Sequence, residues 1–351
     1  MPTPFFDRRR SYQTKAAEFW PAWVLQAALY MQGIPLGWWR GGLTWFARVN
    51  PGMDWGGMLA YSKSDAMLSL PKVNKAAAFT FDWPIAQAVL QEQRLAVGLS
   101  WPLVLKPDQG ERGRDVYQLH NELQLSITLQ QLPPGKYLLQ EFLELPFEFG
   151  VFVSKSLRNQ QFEVLSLSWK VPLGVMGDGV STIGELLAQH PRARHYPALL
   201  AALSAEVKNT VPAANVWRQL HFSGNHCRGA AFFDAQELID QALNDSMHHV
   251  LKEIEGFRFG RLDVLVAQPQ DLWHPEAIKV IEINGANAEP AHIYDPKMPF
   301  WRMLAEVLRF QRLMWHQARW MQKQGASAPP LRQLWPVLKA YRSQMRAAAG
   351  R

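Results

Sequence analysis

Two short segments near the C-terminal third carry the residues best suited to chemistry. They read Gly260-Arg261-Leu262-Asp263-Val264 and, after a polar gap, Val280-Ile281-Glu282-Ile283-Asn284-Gly285. The Val, Ile and Leu around the polar positions predict buried strands. Glu282 and Asn284 stand two apart, so an extended chain points both to one face. With Asp263 on a neighbouring strand, three oxygen donors converge, and the pattern supplies no lysine to neutralise them. Hard divalent cations take such a set, and magnesium in particular keeps several waters and holds nucleotide phosphates. Polar residues at a solvent-facing strand end would read the same way, so the nucleotide has to be sought elsewhere in the chain.

A second cluster lies upstream. In Trp101-Pro102-Leu103-Val104-Leu105-Lys106-Pro107 an apolar strand delivers Lys106 at its end. The next loop contains Gly110 and Gly113 and returns to a strand over 116–119. Backbone N–H groups of a glycine loop beside a fixed ammonium suit a polyphosphate, although an ordinary surface hairpin has the same composition. Next come Gln140-Glu141-Phe142-Leu143 and, seven positions after Glu141, Glu148. Lys170 precedes a glycine turn, Gly177-Asp178-Gly179, and Ser181 or Thr182 then caps a helix.

The elements that must position these groups can be read from the hydrophobic spacing. Helices are expected over 18–32, 63–70, 84–97 (Pro84 in its first turn, Gly98 at its end), 120–129, 236–255, 299–324 and 331–347. Strands are expected over 137–141, 147–154 (half-buried by its alternation) and 162–169, with a strand-like run from Leu43 to the Asn50-Pro51-Gly52 turn. Residues 190–215 give no clear pattern.

The chain has 351 residues, 48% hydrophobic and 19% charged, which predicts a folded protein of two or three subdomains. One cysteine, Cys227, excludes an internal disulfide and a thiolate zinc cage, and His221, His226 and Cys227 lack zinc spacing. The net charge of +7 is uneven: residues 301–351 hold ten Lys and Arg against Glu306, so the rest is slightly acidic. Six of the fifteen Trp fall in the first 55 residues. Packing explains both the Trp cluster and the basic tail, with peripheral contact at an anionic membrane surface as the alternative. No nucleic-acid motif accompanies the tail, and no signal peptide or membrane-spanning run is expected.

Taken in order, Lys106 with its glycine loop, the 140–148 segment, Arg261 with Asp263, and Glu282 with Asn284 resemble the ATP-grasp superfamily. The resemblance covers about residues 60–296 and is nearest to the D-alanine–D-alanine ligases and the cyanophycin-synthetase-like carboxylate–amine ligases. It implies an α+β fold in which two subdomains grip ATP: a Trp-rich region 1–75, a small subdomain 76–145, a large subdomain 146–300 with the metal site, and a basic helical extension 301–351. It also implies roles. Lys106, Gly110 and Gly113 correspond to the phosphate-binding lysine and loop, and Lys63 to an earlier lysine that reaches the nucleotide. Gln140, Glu141, Phe142 and Leu143 correspond to the hinge that pairs with adenine, and Glu148 to the ribose-binding carboxylate. Asp263, Glu282 and Asn284 correspond to ligands of magnesium, with manganese as a substitute. Arg261 corresponds to the arginine facing the reacting carbonyl, and Lys170 to a basic residue of the site.

The activity so implied is an ADP-forming ligation of a small-molecule or peptide carboxylate to an amine through an acylphosphate, in the cytoplasm. An ATP-binding regulatory or membrane-associated module without turnover is the alternative. Beyond Asn284 the chain departs from the ligases: it reads Gly285-Ala286-Asn287-Ala288-Glu289-Pro290-Ala291-His292-Ile293-Tyr294. Glu289, His292 and Tyr294 are therefore candidates for contacting the amine, and D-alanine is not the expected substrate.

Overall fold

The computed structural model describes residues 4–14, 16–19, 31–37, 42–110 and 115–349. Gly113 and residues 20–30 of the expected first helix lie outside them. Residues 31–37 form α1, and Lys63–Leu68 form α2, whose Ser62 side chain caps the first turn by accepting from Asp65 N–H.

The first sheet is built from β1 (Ala78–Trp83), β2 (Leu103–Pro107), β3 (Tyr117–Leu119) and β4 (Gly135–Glu141), antiparallel throughout and ordered β1-β4-β2-β3. Helices α3 (Gln87–Ala96) and α4 (Glu122–Gln130) cover one face. Leu90, Leu125 and Leu129 pack there against Phe81, Leu103, Leu105 and Leu139. Gly98 ends α3 with φ +74°, as expected.

The second sheet is larger. It contains β5 (Phe147–Lys155), β6 (Phe162–Val171), β9 (Ala231–Asp234), β10 (Phe259–Val266) and β11 (Lys279–Asn284), in the order β11-β10-β5-β6-β9 and also antiparallel. Between β6 and β9 the chain forms a separate two-stranded ribbon, β7 (Gly174–Met176) with β8 (Trp217–Gln219). The ribbon encloses α5 (Ile183–Ala188), α6 (Pro197–Ala202) and α7 (Ala205–Asn209). Thr182 and Glu185 close a reciprocal capping box on α5. Helix α8 (Gln241–Leu251) lies on one face of the sheet, where Leu243, Met247, Val250 and Leu251 meet Phe149, Val151, Leu167, Trp169, Leu262 and Val264. Each such fully buried side chain is worth ~1.5–3 kcal/mol over leaving it in water.

On the opposite face Phe152 packs edge-on against Phe259 and against Phe310 of α9 (Phe300–Lys323), with ring centroids 4.9 and 4.8 Å away. The chain ends in α10 (Leu331–Ala349). The α+β class expected from the sequence is met. No helix among the described residues is long and apolar enough to cross a membrane.

Several local expectations are corrected. The run from Leu43 contains a 3-10 turn, Trp45–Arg48, rather than a strand, because Trp45 and Val49 are drawn into the core against α9. Pro84 precedes its helix, which begins at Gln87 after a strand, β1, whose alternating Phe79 and Phe81 carry the period-two signal. The 236–255 helix is shorter than its hydrophobic pattern, because Asp240 caps a start at Gln241 and the chain before it makes a 3-10 turn. Strand 147–155 is covered on both faces, so its alternation sorts two buried environments.

A buried asparagine ties the N-terminal region to the large sheet. Asn50, wholly buried, donates to Gly56 O and Phe259 O and accepts from the N–H groups of Arg258 and Phe259. This fixes the 50–57 segment on β10. Gly56 O and Gly57 O in turn accept from Ala286 and Asn287 N–H at 3.0 and 3.2 Å. The backbones approach so closely that a Cβ on Gly57 would lie 2.6 Å from Gly285 Cα.

Candidate active site

The face of the large sheet away from α8 carries the polar residues. In register, Asp263 of β10 stands opposite Glu282 of β11 on one side and Gly150 of β5 on the other. Gly150 stands opposite Ser168 of β6, and Glu148 stands opposite Lys170. Asn284 faces Arg261 one step along. The two-residue period of a strand therefore brings Glu148, Lys170, Arg261, Asp263, Glu282 and Asn284 to one surface. Gly150 leaves a gap in the middle of it. A Cβ there would sit 2.7 Å from Ser168 Oγ and 3.3 Å from both Arg261 Cδ and Lys170 Cε, so the two long cations cross the sheet through the space glycine leaves.

The small sheet closes over this surface. Lys106, at the end of β2, donates to the main-chain oxygen of Ile281 on β11 at 3.1 Å. Lys63, on α2, pairs with Glu282 at 2.8 Å. The 142–146 linker joins the two sheets, and a cavity of about 1620 Å³ lies between them. Lys63, Lys106, Gln140, Glu141, Phe142, Leu143, Glu148, Lys170, Arg261, Asp263, Glu282, Asn284, Glu289 and Tyr294 all line it.

The expectation of an unneutralised oxygen set is wrong. Lys170 Nζ lies 2.8 Å from Asp263 and 3.0 Å from Glu148, and Arg261 Nε lies 2.9 Å from the other Asp263 oxygen. Strand register decides this: Lys170 and Lys63 are distant in sequence from the acids they meet. Burial disfavours the charge on Glu282, but Lys63, Lys106 and Arg261 outweigh it, and its pKa falls to about 2. For Glu148 burial prevails over Lys170, and its pKa is raised. Lys106 is lowered to about 8, first by burial and then by Lys63, against the pull of Glu282, Asp263 and Asp108. Burial works against the charge on Arg261, and Asp263 overcomes it, so its pKa is raised.

A metal is implied by the sequence, through its strand pattern and through the resemblance. Asp263, Glu282 and Asn284 do share a face on adjacent strands, and all three donors are hard oxygens, which fits magnesium or manganese. Among the described residues no group of three or more His, Cys, Asp or Glu is arranged to hold a metal. Two carboxylates and one amide would therefore supply part of a coordination shell, leaving the remainder to water or phosphate oxygen.

Not every candidate reaches the cavity. His292 does not: it is wholly buried between the same face of the sheet and α9, where Nδ1 shares a 2.6 Å hydrogen bond with Ser166 Oγ and Nε2 lies 3.6 Å from Glu306. Burial lowers its pKa. It is a packing residue of this structure, and the expectation that it meets an amine is withdrawn. Gly110 follows β2 but is not part of the cavity wall. Glu289 and Tyr294 do line it and bond each other, Tyr294 Oη donating to the Glu289 carboxylate, while Glu289 O accepts from Arg261 Nη1 at 3.2 Å.

Other contributors were not legible in the sequence. Tyr61 Oη donates to Asn284 Oδ1 at 2.9 Å. Gly224 N–H donates to Glu148 Oε2 at 3.0 Å, and a Cβ on Gly224 would fall inside that carboxylate. Glu18 and Phe19, from the N-terminal segment, also line the cavity. Glu18 is held by a fully buried pairing with Arg192, whose Nη2 lies 2.9 Å from Oε2, and by His226 at 2.9 Å. No short motif announces contacts between residues this far apart.

No protein-family model and no curated protein sequence matches the chain. Solved structures do match it. A bifunctional glutathione synthetase from Pasteurella multocida is 17% identical over 73% of this chain and 38% of its own, with a TM-score of 0.39. The VanG D-Ala:D-Ser ligase from Enterococcus faecalis is 14% identical over 74% of this chain and 64% of its own, with a TM-score of 0.40. A D-alanine–D-alanine ligase from Bacillus anthracis is 10% identical over 78% of this chain and 72% of its own, with a TM-score of 0.43. The chain thus spans well under two thirds of the first and just under two thirds of the second. By name these are a synthetase and two ligases.

Proposed function

We propose that this protein is an ATP-dependent, ADP-forming ligase of the ATP-grasp type, joining a carboxylate to an amine. The observation that carries the reading is the convergence of Lys63, Lys106, Arg261, Asp263, Glu282 and Asn284 from separate elements on one cavity between two antiparallel sheets. The small sheet, within 76–145, and the large sheet, within 146–300, serve as its two jaws.

Each residue has a role in this reading. The N–H groups of Glu141 and Phe142 are already given to Ala77 O and Pro102 O. Among the described residues Leu143 N–H has no partner, so it is the hinge donor for the adenine edge. Glu148, steadied by Gly224 N–H and Lys170, accepts from the ribose hydroxyls, a use that exploits both of its oxygens. Lys106 and Lys63 meet the phosphates. Asp263, Glu282 and Asn284 hold magnesium, which when bound offsets phosphate charge as a Lewis acid.

A substrate carboxylate oxygen attacks the γ-phosphorus, the bond to the β-bridging oxygen breaks, and ADP leaves with that electron pair. The amine lone pair then attacks the acyl carbon. Phosphate leaves from the tetrahedral intermediate with its bonding pair, and the amine gives up one proton to solvent or phosphate. Charge that grows on the former carbonyl oxygen faces Arg261, which Asp263 and Glu289 O hold in place. No side-chain nucleophile is needed.

The test is product analysis of the purified protein supplied with ATP, magnesium and pools of carboxylates and amines. ADP and phosphate should appear together with a product one water lighter than its parts, and Asp263→Asn should abolish both. AMP and pyrophosphate would overturn the mechanism, and absence of ATP binding would overturn the assignment as a whole.

A further inference from the structure

Part of the cavity, here called the lobe, has a wall of different character. Met58, Ala288 and Met314 of α9 belong to one packed apolar cluster and line it, and Leu59 and Leu338 of α10 add to the wall. Among the described residues the cationic side chains that line the whole cavity are Lys63, Lys106, Lys170, Arg218 and Arg261. None of these belongs to the apolar cluster. Lys63, Lys170 and Arg261 are already paired with Glu282, Glu148 or Asp263.

Two polar residues lie in this wall, Gln311 of α9 and Asn287. Asn287 is anchored by its own N–H, which donates to Gly57 O at 3.2 Å, and it lies between Ala286, a member of the cluster, and Ala288. Its side-chain oxygen is shut off from water and has no hydrogen-bond partner among the described residues. The side-chain nitrogen of Asn284, three residues earlier on the same turn, is in the same state. Unsatisfied buried amide atoms are costly, so they mark places where a ligand gains a bond without breaking one. The Asn287 amide must rotate to turn that oxygen to the cavity, which the residue lines.

We propose that this lobe binds the amine substrate, and that this substrate is an alkyl amine with an uncharged apolar body rather than an α-amino acid. Asn287 is the specificity residue that accepts an N–H from it. An α-amino acid would bring a carboxylate into a lobe whose wall is mostly apolar carbon and whose neighbouring cation, Arg261, is already paired with Asp263. Burying that charge without a partner is strongly unfavourable. An alkyl chain instead covers Met58, Leu59, Met314 and Leu338, and its nitrogen points towards Asn287 and the Glu289 carboxylate. This inference rests on the ligase reading for the word substrate, but not for the binding itself.

The experiment uses the full chain with n-hexylamine, glycine and L-alanine as probes, and reads binding by ligand-observed NMR with and without magnesium and ATP. Hexylamine should bind and the two amino acids should not. Asn287→Leu should weaken hexylamine about 10- to 100-fold, the loss of one hydrogen bond to a cationic donor. Leu338→Glu, on the peripheral α10, provides a second variant that leaves the sheets intact and should weaken hexylamine by setting a charge against its alkyl chain, while still excluding glycine. Binding of glycine or alanine in preference to hexylamine overturns the inference, as does hexylamine binding that neither variant changes. Turnover is read separately. Release of ADP with amino acids alone would sink the alkyl-amine assignment and leave the ligase reading standing. Hexylamine binding without release of ADP from any carboxylate would sink the ligase reading and leave the lobe assigned.

Discussion

Lys106 offers the most quantitative check on the site. Burial and Lys63 lower its pKa to about 8 in the free protein, against an ordinary value of 10.5. The sign comes from linkage. A lysine depressed in the folded state is held charged at a penalty below pH 8, and the penalty fades as pH rises from 8 to 10.5. A shift of this size corresponds to about 3 kcal/mol. A polyphosphate beside the ammonium supplies the opposite charge that burial denies it, and returns the pKa to its ordinary range. Nucleotide binding therefore draws a proton from solution. Half of Lys106 is uncharged at pH 8, so uptake should be about 0.5 proton there, about 0.1 at pH 7 and about 0.9 at pH 9. Calorimetric titration with magnesium–ATP in two buffers of different ionisation enthalpy measures this directly. Lys106→Met should remove the rise, because protons exchanged by the nucleotide itself cancel between the two proteins. If the variant binds too weakly to titrate, the wild-type profile decides alone. Uptake that stays flat or falls between pH 7 and pH 9 would refute both the placement of phosphate at Lys106 and its lowered pKa.

Two further substitutions probe the site and its supports. Gly224→Ala places a methyl group inside the Glu148 carboxylate, so ATP affinity should fall by about tenfold or more while the melting temperature moves little, because the displaced loop lies at the cavity wall. Arg192→Met leaves Glu18 buried without its guanidinium partner, and chemical denaturation should show a loss of about 3–5 kcal/mol. The double change Glu18→Gln with Arg192→Met should recover much of that loss, since no bare charge then remains in the core.

The sequence exposed the site unevenly, and the reason is physical. Glu282 and Asn284 share a face because two residues apart on a strand is a local property, and Lys106 follows a strand whose apolar run is equally local. The neutralisation of Asp263 by Lys170 depends instead on β10 and β6 flanking β5 in register, which no local pattern encodes. His292 misled for the opposite reason. It follows the metal candidates closely in the chain, yet the 3-10 turn Ala291–Tyr294 directs it beneath α9 to Ser166, on the same face of the sheet but outside the cavity wall. Asn287 carries no signal until the main-chain bonds from Ala286 and Asn287 to Gly56 and Gly57 fix that turn. Helix α8 was overextended because its hydrophobic spacing continues through Leu238 and Ile239, while the Asp240 cap starts the helix at Gln241.

The ion pairs Lys63–Glu282 and Lys170–Asp263 make the free site resemble a small crystal of internal salt. Each acid that would hold a metal is matched with a lysine that would otherwise be left bare beside it. A divalent cation arriving alone would strand the lysines, and a polyanion arriving alone would strand the carboxylates. Arriving together they would exchange partners, as two salts do in a metathesis, and neither set of charges would be stranded. The cost of an unpaired charge in such a setting is several kcal/mol, so each ligand should raise the affinity for the other by an equal factor. The free protein on this view is a charge-balanced solid whose two ions are replaced as a pair.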